Sequence, residues 1–229
     1  MATTKVIEII SRVENILQDS GIRWPRTELQ QWLNEAYTTI LLSRPDANAK
    51  TGTFTCTAGS RQKLNSVFVD GLRVLDVVRN LAVSSTKRVV RQVNRNILDD
   101  QRPSWHNESE TVNIQHWMFD PRQPKEFFVY PPASPLAELE VVYTAPVGTH
   151  ALSEAQLDPA IGNATTILLD DIYVSPLVDW ICYRAYMKDA EYGENANRAA
   201  GHLQAFTATI GAKSQSDSAA DPQVPGRVT

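Results

Sequence analysis

The chain has 229 residues, 42% hydrophobic and 21% charged, with a formal net charge of −4 at pH 7. That length can bury a real core in one domain or two modest ones, and the acidic balance excludes a general nucleic-acid coat protein, which carries a basic excess. No apolar run reaches the roughly 20 residues of a bilayer span, and two distant cysteines, Cys56 and Cys182, point to reduced thiols rather than a disulfide framework or a thiolate metal site. Lys5, Glu8, Arg12 and Glu14 interrupt the N-terminal stretch, so no signal-peptide core is read there and a cytoplasmic setting is expected.

Residues 4–19 place Val6, Ile9, Ile10, Val13, Ile16 and Leu17 on one face, the spacing of an amphipathic helix, with Thr3 or Thr4 as cap and Ser20-Gly21 as stop. Trp24-Pro25 forces an extended step. Thr27 and Gln30 then have capping-box spacing, and Leu29, Trp32, Leu33, Ala36, Ile40 and Leu41 carry a second helix to Arg44-Pro45. The pair reads as an antiparallel helical hairpin.

From about residue 51 the period changes. Thr53–Thr57, Leu72–Val78, Val89–Val93, Thr111–Phe119, Glu126–Tyr130 and Leu139–Tyr143 are short runs of β-branched and aromatic residues bounded by turn formers. Residues 94–100 read as a short helix ahead of Pro103. The middle is expected to be a small antiparallel β-domain, a sandwich, inserted between helical halves. Residues 145–170 form a long connection with little periodicity. Ser175-Pro176 opens a third helix, and a fourth runs from about Asn195 to Ile210, where Gly211 is expected to stop it. Lys213 to Thr229 holds mainly Ser, Ala, Asp, Pro and Gly and is expected to be extended unless a partner orders it. The fold class is α+β: a helical bundle from the N- and C-terminal helices, with an inserted antiparallel β-domain and an extended tail. The expected divisions are 1–48, 49–150, 151–212 and 213–229.

Catalytic and cofactor motifs are missing: there is no P-loop, no Gly-x-Gly-x-x-Gly, no Gly-x-Ser-x-Gly and no His-Glu-x-x-His. His106, His116 and Asp120 are the one set worth weighing as a metal-dependent hydrolytic site, but their spacing is loose for ligands and a solvated β-surface is the plainer reading. Asp99-Asp100 and Asp170-Asp171 are adjacent, so their side chains diverge and neither is an acid/base dyad; Asp170-Asp171 suits the positive end of the third helix. No cofactor or metal is expected. Arg88, Arg91 and Arg95 sit in a basic stretch, 79–102, that is either an ordinary charged surface or a contact for DNA or an acidic partner. Trp105, in a turn, and Trp117, in a strand, read first as core, with a role as interface anchors as the alternative.

Several strings occur in a telling order: Trp32-Leu33-Asn34-Glu35-Ala36, Arg44-Pro45-Asp46-Ala47, Gly59-Ser60-Arg61-Gln62, Pro103-Ser104-Trp105-His106, Phe119-Asp120-Pro121, Tyr130-Pro131-Pro132, and Tyr183 through Ala190. As a set they resemble the head-to-tail adaptor (connector) proteins of tailed bacteriophages, especially the short-tailed ones, over nearly the whole chain to about Lys213. The resemblance implies a non-enzymatic virion protein at the head–tail junction, made in the host cytoplasm. It implies a homo-oligomeric, dodecameric ring that docks on the portal protein, meets a tail or nozzle protein, and passes genomic DNA non-specifically, with no membrane. The C-terminal arm, with Lys213, Val224, Pro225, Arg227 and Val228, is expected to bind the portal. A stopper or tail-tube ring protein of the same machine is the alternative, and a nucleic-acid-binding module centred on Arg88, Arg91 and Arg95 a further one.

Overall fold

A computed structural model describes residues 2–189, 191 and 193–220. The chain divides into two units, one of Met1–Ala47 with Val147–Thr229, the other of Asn48–Pro146. The fold is α+β, with the N- and C-terminal helices packing together and two β-sheets between them in sequence.

In the helical unit, α1 (Val6–Leu17) buries Val6, Ile9, Ile10 and Val13 of the stripe its periodicity marks, while Ile16 near its end is exposed. Burial of each such side chain stabilises by about 1.5–3 kcal/mol. α2 is Arg26–Ser43 and buries Leu29, Trp32, Leu33, Ala36, Tyr37 and Ile40. α4 (Val174–Lys188) is the hub, packing against α1, α2 and α5. It buries residues on more than one face, among them Leu177, Val178, Ile181, Cys182 and Ala185, as a helix with neighbours on several sides must. At its rim Arg184 pairs with Glu35 (3.1 Å) and Lys188 with Glu28 (2.7 Å).

The start of α2 is held by a distant carboxylate rather than by the local cap expected, and a second distant carboxylate anchors the residues ahead of α1, whose own first turn is braced locally by the Lys5 N–H donating to Glu8 (3.3 Å). α1 begins after Lys5, and the Thr3 and Thr4 backbone N–H groups and the Thr3 hydroxyl donate to the Asp171 carboxylate at 2.6–3.1 Å. Those donors hold the Asp171 carboxyl well below the usual carboxylate range. Asp171 therefore serves the N-terminal segment as well as the entrance to α4. At α2 the N–H groups of Arg26 and Thr27 donate to Glu154 (3.1 and 3.0 Å), the role expected of a Thr27–Gln30 box.

Gln30 is instead part of a zip. Its amide exchanges two bonds with the Leu152 backbone (2.9 and 3.2 Å), and Asn34, one turn on, does the same with His150 (2.8 and 3.0 Å). Two side-chain amides on one helix face thus satisfy an extended backbone as a neighbouring strand would. Tyr37 closes the series: its hydroxyl accepts from the Leu168 N–H (3.3 Å) and lies 3.0 Å from His150 Nε2.

Burial lowers the His150 pKa from its ordinary 6.5, so the fold holds the neutral ring. Above pH 6.5 both folded and unfolded chains carry it neutral and the stability is complete; as pH falls the unfolded chain takes up the proton first, and stability declines until the pH has passed the lowered folded value. Urea midpoints of the helical unit between pH 7.5 and 5 should show this decline, and His150→Gln should flatten it; an equally steep decline in the variant would remove His150 as its cause.

α5 runs Gly193–Ala220 and packs Ala199, Phe206 and Ile210 inward. It passes through Gly211, the expected stop. A mid-helix glycine costs about 1 kcal/mol but ends a helix only where a left-handed turn follows. Lys213 is consequently a helical residue, and the extended arm expected from 213 does not begin there. Val224, Pro225, Arg227 and Val228 lie outside the described residues.

The second unit is a two-sheet sandwich. β1 (Ala49–Thr55), β7 (Glu138–Thr144) and β3 (Arg73–Asn80) form one sheet in the order β1-β7-β3. The other is β2-β6-β5-β4, from Gly59–Lys63, Glu126–Ala133, His116–Phe119 and Arg91–Gln92. Phe54, Val74, Val77, Leu139 and Val141 face Phe127, Val129, Trp117 and Leu64 in the shared core. The outer face of the second sheet carries a smaller cluster of Trp105, Met118 and Tyr130, with Leu98 of α3 (Arg95–Gln101) against it.

Two strand expectations change. β4 and β5 pair in parallel, so the domain is not wholly antiparallel. β2, Gly-Ser-Arg-Gln-Lys, has no apolar signal at all: its inward positions are Ser60 and Gln62. The Gln62 side chain, fully buried, accepts from the Thr57 N–H (2.8 Å) and donates to the carbonyls of Thr57 (2.8 Å) and Gly59 (2.9 Å), bracing the turn that enters the strand.

Candidate interaction surfaces

The β3–β4 connection turns at Lys87, whose φ of 57° is left-handed. Two asparagines hold it. Asn80, with no exposed surface, donates its backbone N–H (3.0 Å) and its side-chain amide (2.9 Å) to the Arg88 carbonyl and exchanges two further bonds of 2.8 Å with Ile114. Asn113 accepts from the Thr86 N–H (2.7 Å) and hydroxyl (3.0 Å). The result is a groove of about 470 Å³ lined by Thr86, Arg88, Arg91, Asn113, Gln115 and His116, among others.

No carboxylate lines this groove, and neither Arg88 nor Arg91 forms an ion pair among the described residues. His116 beside them is kept neutral: burial, then the Arg91 charge, lower its pKa. Arg95 is elsewhere. It pairs with Asp99 at 3.0 Å, and its guanidinium lies 4.9 Å from the centroid of the Phe128 ring. The structure thus brings together two of the three arginines singled out in the sequence and adds His116, Asn113 and Gln115, which alone carry no signal in a linear reading.

Trp105 and Trp117 are core residues, 0% and 1% exposed. Trp105 donates its indole N–H to Asp99 (2.8 Å), which with Arg95 holds that carboxyl below its ordinary range, and stacks on His106. Neither tryptophan presents surface to a partner, so core holds and the interface-anchor alternative falls: turn and strand positions with large rings serve the sandwich itself.

His106, His116 and Asp120 are not gathered. His106 Nδ1 meets the Ser60 hydroxyl at 2.6 Å, His116 stacks on Tyr130, and Asp120 is bound to Arg122 at 3.0 Å. Among the described residues no three His, Cys, Asp or Glu side chains are placed to hold a metal ion. Cys56 and Cys182 are both free and buried, and burial pushes each thiol up to about 12, away from thiolate chemistry. No described helix is long and apolar enough to cross a membrane.

Comparison with known families gives a match: the family model described as SU10 adaptor protein covers residues 4–228. The chain belongs to the SU10 adaptor protein family. That is a family of phage structural adaptors, not of enzymes. As an SU10-type adaptor the chain is a part that meets other virion components. No curated protein matches it.

Proposed function

We propose that this adaptor forms a homo-oligomeric ring, dodecameric in the family resemblance, that docks beneath the portal, lengthens the DNA channel and receives a tail or nozzle protein. The family match over 4–228 carries this reading. Closed rings need two different, complementary surfaces on each subunit, and many weak copies acting together gain avidity. The segment beyond α5, with Val224, Pro225, Arg227 and Val228, is assigned to the portal, and Lys213 supports it from within the helix. Arg88 and Arg91, without an ion pair among the described residues and in a groove lined by no carboxylate, are assigned to DNA or to an acidic partner surface; Arg95, already paired, is not. A net charge of −4 suits a channel in which DNA slides. A stopper or tail-tube ring of the same machine is distinguished by its partner.

Light scattering of the purified chain, alone and mixed with its portal ring, tests the assignment. The expected result is association in a stoichiometry set by the portal's symmetry, and loss of that association by at least about tenfold on deleting 221–229, with α5 left intact. Association with a tail protein alone would favour the stopper reading, and undiminished binding by the deletion would remove the arm.

A further inference from the structure

The two edges of the three-stranded sheet are treated differently. Beyond β3, Val89 bridges to Arg79 and the Val90 N–H donates to the Val78 carbonyl (3.0 Å), so that edge is covered. β1 is the other edge. Its ladder with β7 runs without a register shift from Ala49 opposite Thr144 to Thr55 opposite Glu138, whereas the β2–β6 and β3–β7 ladders both carry shifts.

The hydrogen-bond parity of β1 follows from its ends. The Ala145 N–H donates to the Asn48 carbonyl (3.1 Å), and the Cys56 N–H to the Ala137 carbonyl (2.9 Å). In an antiparallel pair, alternate residues direct both backbone groups to the same neighbour. The even-numbered residues therefore face β7, and the N–H and C=O groups of Ala49, Thr51, Thr53 and Thr55 point outward. Among the described residues these groups have no hydrogen-bond partner, and all four residues are exposed. Natural edges are guarded by proline, bulges or charge. β1 has Lys50 and otherwise a regular, uncharged row of threonines.

We infer that the β1 edge is a docking site for an extended segment of another virion polypeptide, which joins the sheet as an added strand. A helix cannot serve, because its backbone groups are satisfied internally; an extended chain satisfies the whole outward row at once. The two faces state the segment's chemistry. On the inner face Gly52 leaves room for the half-buried Phe68 ring, which a Cβ there would meet at 2.8 Å, and which stacks on Tyr143 at 4.1 Å. That apolar rim calls for aliphatic or aromatic side chains. On the outer face Thr53 lies opposite Glu140, which Arg79 already pairs, and Thr55 opposite Glu138, which calls for one lysine or arginine beside that end of the strand and polar side chains along the rest. Self-pairing of β1 centred on Gly52 would set glycine against glycine beside Phe68 and leave that ring without a side chain to pack on. The inference uses the adaptor role only in seeking the partner within the particle; it does not depend on whether that partner is the portal.

Proline at Thr53 removes an outward N–H while leaving the β7 ladder whole, and Gly52 before it adapts readily to the ring. Hydrogen exchange with residue-level fragmentation should show the Thr51, Thr53 and Thr55 amides exchanging freely in the isolated chain. In the chain assembled into phage particles the same amides should be slowed by about a hundredfold or more. Thr53→Pro should keep its melting temperature and lose incorporation into particles, while Thr53→Val, which retains the amide, incorporates normally; Thr51→Pro replaces Thr53→Pro should the latter unfold. Free exchange in the particle overturns the inference, as does full incorporation of the proline variant. Protection in the isolated chain that grows with its concentration would make the occupant a second copy and overturn the assignment to another polypeptide.

Discussion

Asn80→Leu is expected to destabilise the β unit by about 3 kcal/mol, on the order of 15 °C in melting temperature for a unit of its size. The side chain is wholly enclosed and serves Arg88 on the β3–β4 connection and both backbone groups of Ile114 ahead of β5. Leucine fills similar volume but leaves the Ile114 N–H and carbonyl without partners inside the sandwich, and each buried orphan costs about 1–3 kcal/mol. Asn80→Asp should be no milder, since it keeps one acceptor, loses both donors and adds a charge beside carbonyl oxygens. Urea unfolding followed by the fluorescence of Trp105 and Trp117 reads the effect; a loss under about 0.5 kcal/mol would mean that water replaces the asparagine without penalty. The same variants should loosen the hairpin bearing Arg88, so its amide exchange should quicken even where the unit remains folded.

The double variant Gln30→Leu with Asn34→Leu is expected to cost the helical unit a comparable amount, again about 3 kcal/mol. Four backbone groups, those of His150 and Leu152, take their partners from these two amides. Leucine keeps the helix propensity of α2 and adds apolar area, so a loss of stability isolates the hydrogen bonds. Because both amides act on one strand, the two single changes should sum to more than the double: once His150 is released, Leu152 has less to lose. Strict additivity would show that each pair acts alone. Fast exchange of the His150 and Leu152 amides in the variant, with the α1 amides unchanged, is the accompanying signature.

Elements whose burial follows a period were legible. Val6, Ile9, Ile10 and Val13 of the α1 stripe are buried, and the run Leu139–Tyr143 is a strand, because a face packed on a core must be apolar along its length; Ile16, read on the same stripe, is exposed. β2 was not legible: its inward positions are Ser60 and Gln62, and Gln62 is tolerated there only through hydrogen bonds to a turn whose geometry no pattern encodes. The Glu154 cap on α2 and the Asp171 anchor ahead of α1 were illegible for a related reason. Thr27 with Gln30 is a sound local motif, but a carboxylate from far along the chain reached the same N–H groups and freed Gln30 for the zip. Of the surfaces, the basic stretch was visible in composition, yet which arginines remain unpaired depends on Asp99 lying one helical turn from Arg95 and no carboxylate lining the groove by Arg88 and Arg91. Trp105 and Trp117 show the converse: a large ring in a turn or short strand reads the same whether it faces a partner or its own core.

The β unit leaves and re-enters the rest of the chain at a single place. The Asn48 side chain donates to the carbonyls of both Ala145 and Pro146 at 3.0 Å, so the first and last residues of the unit are stitched to each other. A segment whose ends are already joined asks nothing of its host except a gap one strand pair wide. It can be lost, duplicated or exchanged for another module in one recombination event while each part keeps its own core. A chain of this build can therefore have either unit altered while the packing of the other stays as it is, a freedom that lets one module diverge under selection without burdening its neighbour.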